Sequence, residues 1–327
     1  MRLAILGAGP WGRNHVRVFS ELLDEERVAV YDPDPECRRR VTADHPAVEL
    51  LDRPSLDGIT AAVIATPAST HAALARDALD GGLDVLVEKP LALGISDAEE
   101  LVERAERRGR ILMVDHLLRY HPAVEMLRGW LRDGTLGDLL HLTAQRLNLG
   151  VIRTEENAWW SLAPHDLSVL LDLVDEEATV VRVAGGHALD PERCDVAHAD
   201  LRFPGGVTAH VHVSWLDPVK VRRLTVVGTR SMAVLEDGAE NALVRYDHRV
   251  ACASGKWSTE SGPAEVATVP SQEPLRRVAA AFLESVETRV PPGSDGRDGA
   301  RVVRILEAGQ RSLDREGAPI TLGGRDG

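Results

Sequence analysis

Short apolar runs and amphipathic segments alternate along the first 120 residues of the chain. The runs are four or five residues long, whereas the segments between them repeat apolar residues at the three- and four-residue spacing of a helix. The runs occupy residues 3–6, 28–31, 61–65, 83–87 and 111–114, and the helical segments 14–23, 69–79 and 96–107. Strands that alternate with helices predict a parallel sheet covered by helices on both faces.

Local signals mark both ends of one of these helices. Ser96 is followed three residues later by Glu99, a spacing that predicts a capping box at the start of the helix. Gly109 follows the last apolar position and predicts the end of the same helix.

The pattern changes in the second part of the chain. Turn residues at 204–206 and at 228–231 separate pairs of apolar runs, which is typical of hairpins. Strands are predicted at 139–148, 195–203, 207–215, 220–227 and 232–236, and helices at 159–174, 275–288 and 299–313. These features predict a mostly antiparallel sheet in a second domain, and a length of 327 residues is itself typical of two domains.

Composition and charge narrow the classes of function. The formal net charge is −13 and no dense block of Lys and Arg occurs, which argues against a nucleic-acid partner. Cys37, Cys194 and Cys252 form no Cys-x-x-Cys pair and indicate isolated thiols rather than disulfides or a zinc site. No membrane span and no secretory signal are predicted, because apolar stretches of sufficient length are lacking. We therefore expect a cytoplasmic protein.

A glycine motif lies between the first predicted strand and the first predicted helix. Gly7, Gly9 and Gly12 form a G-x-G-x-x-G in which Pro10 and Trp11 precede the last glycine. Such glycines permit a tight turn and let a pyrophosphate approach backbone N–H groups at the N-terminus of the helix. Because the motif follows a strand and opens a helix, it predicts that these five residues bind a dinucleotide.

Asp32 is predicted to select which dinucleotide binds. It lies at the end of the second predicted strand, where a carboxylate can accept hydrogen bonds from both ribose hydroxyls and repel a 2′-phosphate. This position favours NAD over NADP. Two alternatives stay open: residues 32–35 form only a turn, or the arginines at 38–40 bind the extra phosphate of NADP.

Two further motifs, taken with the glycine motif, resemble a known family. Thr66, Pro67 and His71 follow the third predicted strand, and Glu88-Lys89-Pro90 ends the fourth. The combination resembles the glucose–fructose oxidoreductase, inositol dehydrogenase and rhizopine catabolism (Gfo/Idh/MocA) family over nearly the whole chain.

The resemblance implies an α/β fold in two parts. Residues 1–120 are expected to form a Rossmann dinucleotide-binding domain with a doubly wound parallel sheet. Residues 121–327 are expected to form an α+β domain with a large open sheet, mostly antiparallel, that binds substrate and mediates oligomerisation. Because an open sheet needs a cover, we expect a homo-oligomer, either a dimer or a tetramer.

The resemblance also implies roles for individual residues. Lys89 is implied to lie beside the nicotinamide and the substrate, where desolvation and the cationic ring would lower the pKa of its amine and suit it to proton transfer. The residues implied to contact the cofactor, besides the glycine motif, Asp32 and Lys89, are Thr66, Pro67, His71, Glu88 and Arg119.

His165 is the second catalytic residue that the resemblance implies. The family motif is Asp-x-x-x-His at the start of a helix, and here Ser161 stands at the aspartate position. An imidazole base needs a partner that fixes its tautomer, and a hydroxyl is weaker in this respect than a carboxylate. Asp166 is a substitute only if the backbone turns it inward. Trp160, with its neighbour Trp159, either walls the substrate pocket or belongs to the core.

A metal site is not predicted. His210 and His212 share one face of a predicted strand, but no third ligand is evident and the resemblance implies no metal.

The segment 215–228 resembles the family branch that acts at the third carbon of sugars joined to nucleoside diphosphates. Lys220, Arg222 and Arg223 in this segment either face a diphosphate or lie on the wet face of an ordinary strand. The sequence therefore predicts an NAD-dependent dehydrogenase or ketoreductase acting on a CH–OH group of a sugar or nucleotide sugar. The alternatives are a non-catalytic NAD-binding regulator and a cyclitol or dihydrodiol dehydrogenase.

Overall fold

The computed structural model describes residues 1–52, 57–238 and 242–323. The helices are α1 (Pro10–Leu23), α2 (Pro35–Asp44), α3 (Ala68–Asp80), α4 (Ile95–Arg108), α5 (Pro122–Arg132), α6 (Ala158–Val174), α7 (Pro274–Thr288) and α8 (Gly296–Leu313). The strands are β1 (Leu3–Leu6), β2 (Val28–Tyr31), β3 (Glu49–Leu50), β4 (Ala61–Ile64), β5 (Asp84–Val87), β6 (Leu112–Val114), β7 (Leu139–Leu149), β8 (Val180–Gly186), β9 (Val196–Arg202), β10 (Thr208–Ser214), β11 (Leu216–Gly228), β12 (Met232–Glu236), β13 (Leu243–Ala253), β14 (Lys256–Val266) and β15 (Ile320–Thr321).

The chain divides into two compact units. The first comprises Met1–Tyr120 and Glu273–Arg304, and the second comprises His121–Gln272 and Ile305–Gly327. The sequence-based division placed all of 121–327 in one domain, whereas Glu273–Arg304 belongs to the first unit. The reason is that α7 packs its apolar face, including Phe282, into the core of the first unit. Helical periodicity shows that such a face is buried but not which sheet covers it.

The first unit contains a parallel sheet, as predicted. Its six strands, counted among the described residues, follow the order β3-β2-β1-β4-β5-β6. Leu3 and Ile5 pack in one apolar cluster, and Ala4 and Leu6 pack in another. Because helices cover both faces, nearly every position of the central strands is apolar and these strands look like continuous runs in the sequence. The strand order reverses between β1 and β4, and ligands bind at the carboxyl ends of strands at such a point.

The predicted end of α4 is confirmed and its predicted start is wrong. Gly109 follows the helix with a φ of 61° and donates its N–H to the carbonyls of Ala105 and Glu106. The helix begins at Ile95 after Gly94, and no side chain caps it. Ser96 therefore lies inside the first turn instead of before it, so it has no capping position to fill.

The second unit contains a large, mostly antiparallel sheet. In the part of the chain that is described, nine strands follow the order β14-β13-β12-β11-β7-β10-β9-β8-β15, and only β7 and β10 pair in parallel. Both predicted hairpins are present, β9 to β10 and β11 to β12. The sequence did not predict β8, β13 or β14, because β8 ends in two glycines and β14 is exposed along nearly its whole length.

Helix α6 anchors the core of this second unit. Trp159 is fully buried and donates its indole N–H to the carbonyl of Leu306 at 2.9 Å. Helix α8 approaches closely at Gly309, where a Cβ atom would lie 2.6 Å from the Trp159 ring. Trp159 is therefore a core residue, which settles one of the two alternatives for this tryptophan.

Candidate active site

The glycine motif forms a tight backbone turn between β1 and α1. Gly7 has a φ of +96°, and a Cβ there would lie 2.5 Å from the carbonyl oxygen of Ala65. A Cβ at Gly12 would lie 2.0 Å from the carbonyl oxygen of Gly7. Only glycine fits either position. Helix α1 begins at Pro10 after Gly9, with no side-chain cap, so the first N–H groups of the helix are presented without a competing side-chain acceptor.

The space around this turn suits a diphosphate. A Cβ at Gly9 would meet no atom within 4 Å, and Trp11 is exposed on the first turn of α1. A helix N-terminus of this kind carries a partial positive charge and unsatisfied donors, both of which favour an anion. The residues present therefore fit the pyrophosphate of a dinucleotide.

Asp32 connects the end of β2 to the glycine turn. One carboxylate oxygen accepts the N–H of Ala8 at 2.6 Å, and the other accepts the N–H of Asp34 at 2.8 Å. Each oxygen keeps a second lone pair, with which it can accept a ribose hydroxyl. The carboxylate is thus fixed at the position where the ribose of the dinucleotide is expected.

The arginines at 38–40 are engaged within α2 and the preceding turn. Arg38 donates to the carbonyl oxygens of Asp32 and Pro33. Arg39 and Arg40 both pair with Glu36 on the same helix.

The residues after β4 form a second loop beside the glycine turn. Thr66 bonds with Thr70 through their hydroxyls at 2.7 Å, and the exposed Pro67 precedes α3. His71 is buried, and its ring nitrogens lie 2.9 Å from the carbonyl oxygen of Thr66 and 2.7 Å from that of Pro90. His71 therefore ties the loop after β4 to the loop after β5, which is a positioning role rather than an exposed contact.

Lys89 follows β5 and stands next to a buried charged cluster. The neighbouring Glu88 carboxylate accepts from the His15 ring at 3.0 Å and from the Lys89 backbone N–H at 3.2 Å. Asp115, directly after β6, lies 3.4 Å from the same His15 nitrogen. His15 and Asp115 are completely buried.

Two further residues follow β6. The His116 ring is buried, and burial together with the charges of Arg119 and Lys89 lowers the pKa of His116 to about 3. Arg119, on the turn Leu117–Tyr120, pairs with Asp298 of α8 at 2.7 Å. His116 is therefore neutral at physiological pH and lies within electrostatic range of Lys89.

His165 belongs to the second unit and lies on α6. Asn157 caps this helix by accepting the N–H of Trp160, and Pro164 interrupts its backbone hydrogen bonds directly before His165. Trp160 and His165 are half-buried, whereas Ser161 is buried one turn before His165. Residues four apart share a helix face, so Ser161 lies on the same face of α6 as His165, as the resemblance described above implies for the motif.

Asp166 does not substitute for that aspartate. Its two oxygens accept from Arg146 of β7 at 2.7 and 2.9 Å, in a buried two-point ion pair. Asp166 therefore fixes α6 on the sheet and is committed to the guanidinium.

A third histidine, His198, lies beside His210 and His212, the two histidines that were predicted to share a strand face. His198 of β9 is directly opposite His212 of β10, with the ring centroids 4.0 Å apart, and His210 bonds to Asp200 at 2.9 Å. Within the described residues, the one group whose possible metal-ligand atoms all lie within 4.8 Å of one another is His15, Glu88 and Asp115.

Sequence reasoning missed the buried partners of the predicted residues. His15 lies on the buried face of α1, three residues after Gly12, where a polar side chain among apolar ones is a signal of a buried partner. Asp115 ends the strand next to the one that ends in Glu88, and the carboxyl ends of adjacent parallel strands lie together. Arg146 occupies a core-facing position of β7, where only an ion pair accommodates it.

Comparison with known proteins assigns the chain and its fold to a family. Residues 1–116 match the model of the GFO/IDH/MocA oxidoreductase family, NAD-binding Rossmann fold, and residues 124–234 match the model of the GFO/IDH/MocA C-terminal domain. The chain belongs to the Gfo/Idh/MocA family. It is accordingly an NAD(P)-dependent dehydrogenase or ketoreductase acting on CH–OH groups, as the sequence predicts.

Relatives within the family match over most of the chain. A UDP-N-acetylglucosamine 3-dehydrogenase from Acidithiobacillus ferrooxidans is 28% identical over 93% of this chain and 94% of its own length. An inositol 2-dehydrogenase from Saccharopolyspora erythraea is 29% identical over 76% of this chain and 80% of its own length. The solved structure of the Acidithiobacillus ferrooxidans enzyme covers 97% of this chain and 98% of its own, with 26% identity and a TM-score of 0.82.

Among the described residues, no helix is both long enough and apolar enough to cross a bilayer.

Proposed function

We propose that the protein is an NAD-dependent dehydrogenase, or in reverse a ketoreductase, of the third carbon of a nucleotide-linked sugar. The observation that carries this proposal is the likeness to a UDP-N-acetylglucosamine 3-dehydrogenase over nearly the full length of both chains. In the segment 215–228, Arg222 and Arg223 pair with Asp237 and Glu236, so the exposed Lys220 is the candidate contact for a diphosphate.

NAD is the proposed cofactor because of Asp32. Its carboxylate is held by the N–H groups of Ala8 and Asp34, so it cannot easily turn away from a 2′-phosphate. Bound NAD would accept or donate the hydride. The first unit is proposed to bind the cofactor, and the second to bind the substrate and to form a homo-oligomer of two or four subunits.

Lys89 and His165 are the proposed proton-transfer groups. In alcohol oxidation one of them removes the hydroxyl proton, and in ketone reduction the same group returns it. Trp160 is proposed to contact the sugar, because it is half-exposed on the same turn of α6 that carries Ser161.

The test is turnover with defined substrates. The purified protein is incubated with NAD and, separately, with UDP-N-acetylglucosamine, myo-inositol or a free aldose, and the absorbance of reduced nicotinamide is followed. We expect turnover with the nucleotide sugar. A preference for inositol would favour the cyclitol dehydrogenase instead, the second candidate, which the 29% identity to an inositol dehydrogenase supports.

The variant Lys89→Ala tests whether the Lys89 amine takes part in proton transfer. We expect turnover to fall by about a hundredfold or more while NAD binding stays intact, which is the usual scale for a lost proton-transfer residue. Lys256→Ala, on the exposed strand β14, is the matched control and should turn over normally. Normal turnover of Lys89→Ala would remove Lys89 from the mechanism, and NAD binding without turnover of any substrate would favour a non-catalytic regulator.

A further inference from the structure

Three elements of the first unit bring ionisable side chains into one buried cluster. His15 comes from α1, Glu88 follows β5 and Asp115 follows β6. The Nε2 atom of His15 lies 3.0 Å from a Glu88 oxygen and 3.4 Å from an Asp115 oxygen. Among the described residues, no group offers a hydrogen bond to either Asp115 oxygen or to the Nδ1 atom of His15. The three side chains therefore depend on one another for charge compensation.

Burial determines which of the three side chains of this cluster are charged. Two ionised carboxylates in a buried space are very costly unless a positive charge lies between them. Burial alone would lower the pKa of His15, but the adjacent Asp115 and Glu88 carboxylates raise that pKa to about 9. Burial and the Glu88 charge raise the pKa of Asp115 to about 6. Burial would raise the pKa of Glu88 as well, but the bond from His15 holds it below its ordinary value.

With these pKa values, the charge of the three-residue cluster is constant between about pH 6 and 9. His15 carries one positive charge, and Glu88 and Asp115 carry one negative charge each, so the cluster has a net charge of −1. Below about pH 6 Asp115 gains a proton and the cluster becomes neutral.

The charged groups around the cluster come from several elements. Lys89 follows Glu88 directly, and its charge lowers the pKa of both Glu88 and His116. His71 of α3 also acts on Glu88. The remaining neighbours, on the turn after β6, are Arg119, paired with Asp298, and Tyr120, which the Asp115 charge reaches.

We propose that His15 and Asp115 are positioning residues for Lys89: together with Glu88 they hold a buried net negative charge beside its ammonium group and thereby keep it protonated. This inference rests on the proposed role of Lys89 in proton transfer. A protonated Lys89 donates a hydrogen bond to the substrate oxygen and supplies the proton when a ketone is reduced. His15 and Asp115 act only through Glu88 and the local field, and neither is proposed to touch substrate.

The protonation of Lys89 can be followed directly, because the chain contains few lysines. Lys89 is one of only three lysines, and the others are Lys220 and Lys256. Replacing both with arginine leaves Lys89 as the sole lysine amine. Reductive methylation with ¹³C-formaldehyde then gives one lysine dimethylamine signal, apart from that of the N-terminus, whose chemical shift follows the protonation of Lys89 by NMR. The measurement needs neither cofactor nor substrate, so it is independent of the proposed reaction.

The variants compare two buried carboxylates on neighbouring strands, β5 and β6. Asp115→Asn removes the charge of the cluster acid, and Asp84→Asn removes that of a buried carboxylate at the amino end of β5, where Asp84 pairs with Arg289. We expect Asp115→Asn to lower the Lys89 titration midpoint by about one pH unit or more, because one charge within about 12 Å has at least this effect at an effective dielectric constant near 20. Asp84→Asn should leave the midpoint unchanged.

The unsubstituted cluster supplies a second measurement, in case Asp115→Asn fails to fold. In the protein with only the two Lys→Arg replacements, the Lys89 signal should show a small separate step near pH 6 as Asp115 gains its proton. No step near pH 6, or equal shifts for Asp115→Asn and Asp84→Asn, would overturn the proposal. A stoichiometric divalent metal found by elemental analysis and lost in Asp115→Asn would also overturn it, because the metal would then replace the His15 proton.

Discussion

At the scale of single residues, the Asp32 carboxylate fixes the glycine turn through the N–H of Ala8. We propose that the same carboxylate also presents negative charge where a 2′-phosphate would lie. Glycine spacing alone does not show the first function, because the Ala8 bond joins two segments that are 24 residues apart.

Asp32→Ser should narrow or invert the preference for NAD over NADP. Removal of the carboxylate ends the repulsion of the 2′-phosphate, and we expect the ratio of the two dissociation constants to change by about tenfold or more, which corresponds to about 1.4 kcal/mol. Titration of each dinucleotide by protein fluorescence checks this. Asp34→Ser is the matched control, because Asp34 caps α2 two residues away and should not affect the ratio. Tighter binding of NADP by the unsubstituted protein would contradict the role of Asp32.

At the scale of elements, α6 arranges the proposed base and its neighbours by helical spacing. Ser161 and His165 share a face, and Asp166 points to Arg146 instead. The helix thus places a hydroxyl, not a carboxylate, one turn before His165.

Ser161→Asp should move the acid limb of the pH–rate profile for alcohol oxidation to higher pH. A carboxylate four residues before His165 stabilises the imidazolium, so the base loses its activity at a higher pH. Ser161→Asn is the uncharged control of the same shape and should not move the limb. His165→Asn should abolish the limb, and full activity of this variant with an unchanged profile would exclude His165 as the base. If only Ser161→Asp has no effect, another group orients the ring.

Gly309 and Gly129 should respond oppositely to replacement by alanine. Alanine normally stabilises a helix interior by up to about 1 kcal/mol relative to glycine, and Gly129 on α5 has no atom within 4 Å of its Cβ position. At Gly309 on α8 the Cβ would lie 2.6 Å from the buried Trp159 ring, and overpacking of this kind costs about 1–3 kcal/mol. Chemical unfolding of the two variants measures both effects. Equal stability changes would show that α8 and α6 are not in close contact at this point.

At the scale of the whole molecule, the buried cluster makes stability depend on pH. His15 has a pKa near 6.5 when the chain is unfolded and about 9 when it is folded. The folded state therefore holds a proton that the unfolded state has lost, so this contribution to stability is fully present below pH 6.5 and is lost as the pH rises through about 9.

We expect the free energy of unfolding to decrease between pH 6.5 and 8.5, by an amount on the order of 1–3 kcal/mol. The upper limit of this range avoids Cys194, whose pKa burial raises from 9.0 to about 11 and which adds its own pH dependence above pH 9. Urea unfolding at a series of pH values provides the measurement. His15→Gln should flatten the slope whatever its effect on absolute stability, and an undiminished slope in that variant would assign the dependence to other groups.

The sequence predicted the strands and helices of the fold better than the long-range contacts between them. Apolar runs located five of the six described strands of the parallel sheet, because strands that are buried on both faces carry mostly apolar residues. The two-residue β3 was not predicted, since it is short and partly exposed. The glycine motif was located by its place after a strand, and Lys89 by the resemblance of Glu88-Lys89-Pro90 to a family motif. The cluster of His15 and Asp115 was not predicted from the sequence. Its members lie 100 residues apart, and a lone buried His or Asp has no local sequence pattern. The packing of α7 on the first unit was not predicted either, because an apolar helix face does not show which sheet covers it.

The assignment of α7 to the first unit has a consequence for the order of events during protein synthesis. A ribosome completes Met1–Tyr120 well before it reaches Glu273–Arg304, yet the core around β1 needs Val278, Ala279 and Phe282 from this late segment. The nascent N-terminal sheet must therefore wait, with one apolar face only partly covered, while the whole of His121–Gln272 is made. A gene fragment that ends at Tyr120 should accordingly yield an insoluble polypeptide, whereas the same fragment supplied with the α7 segment in trans should recover solubility.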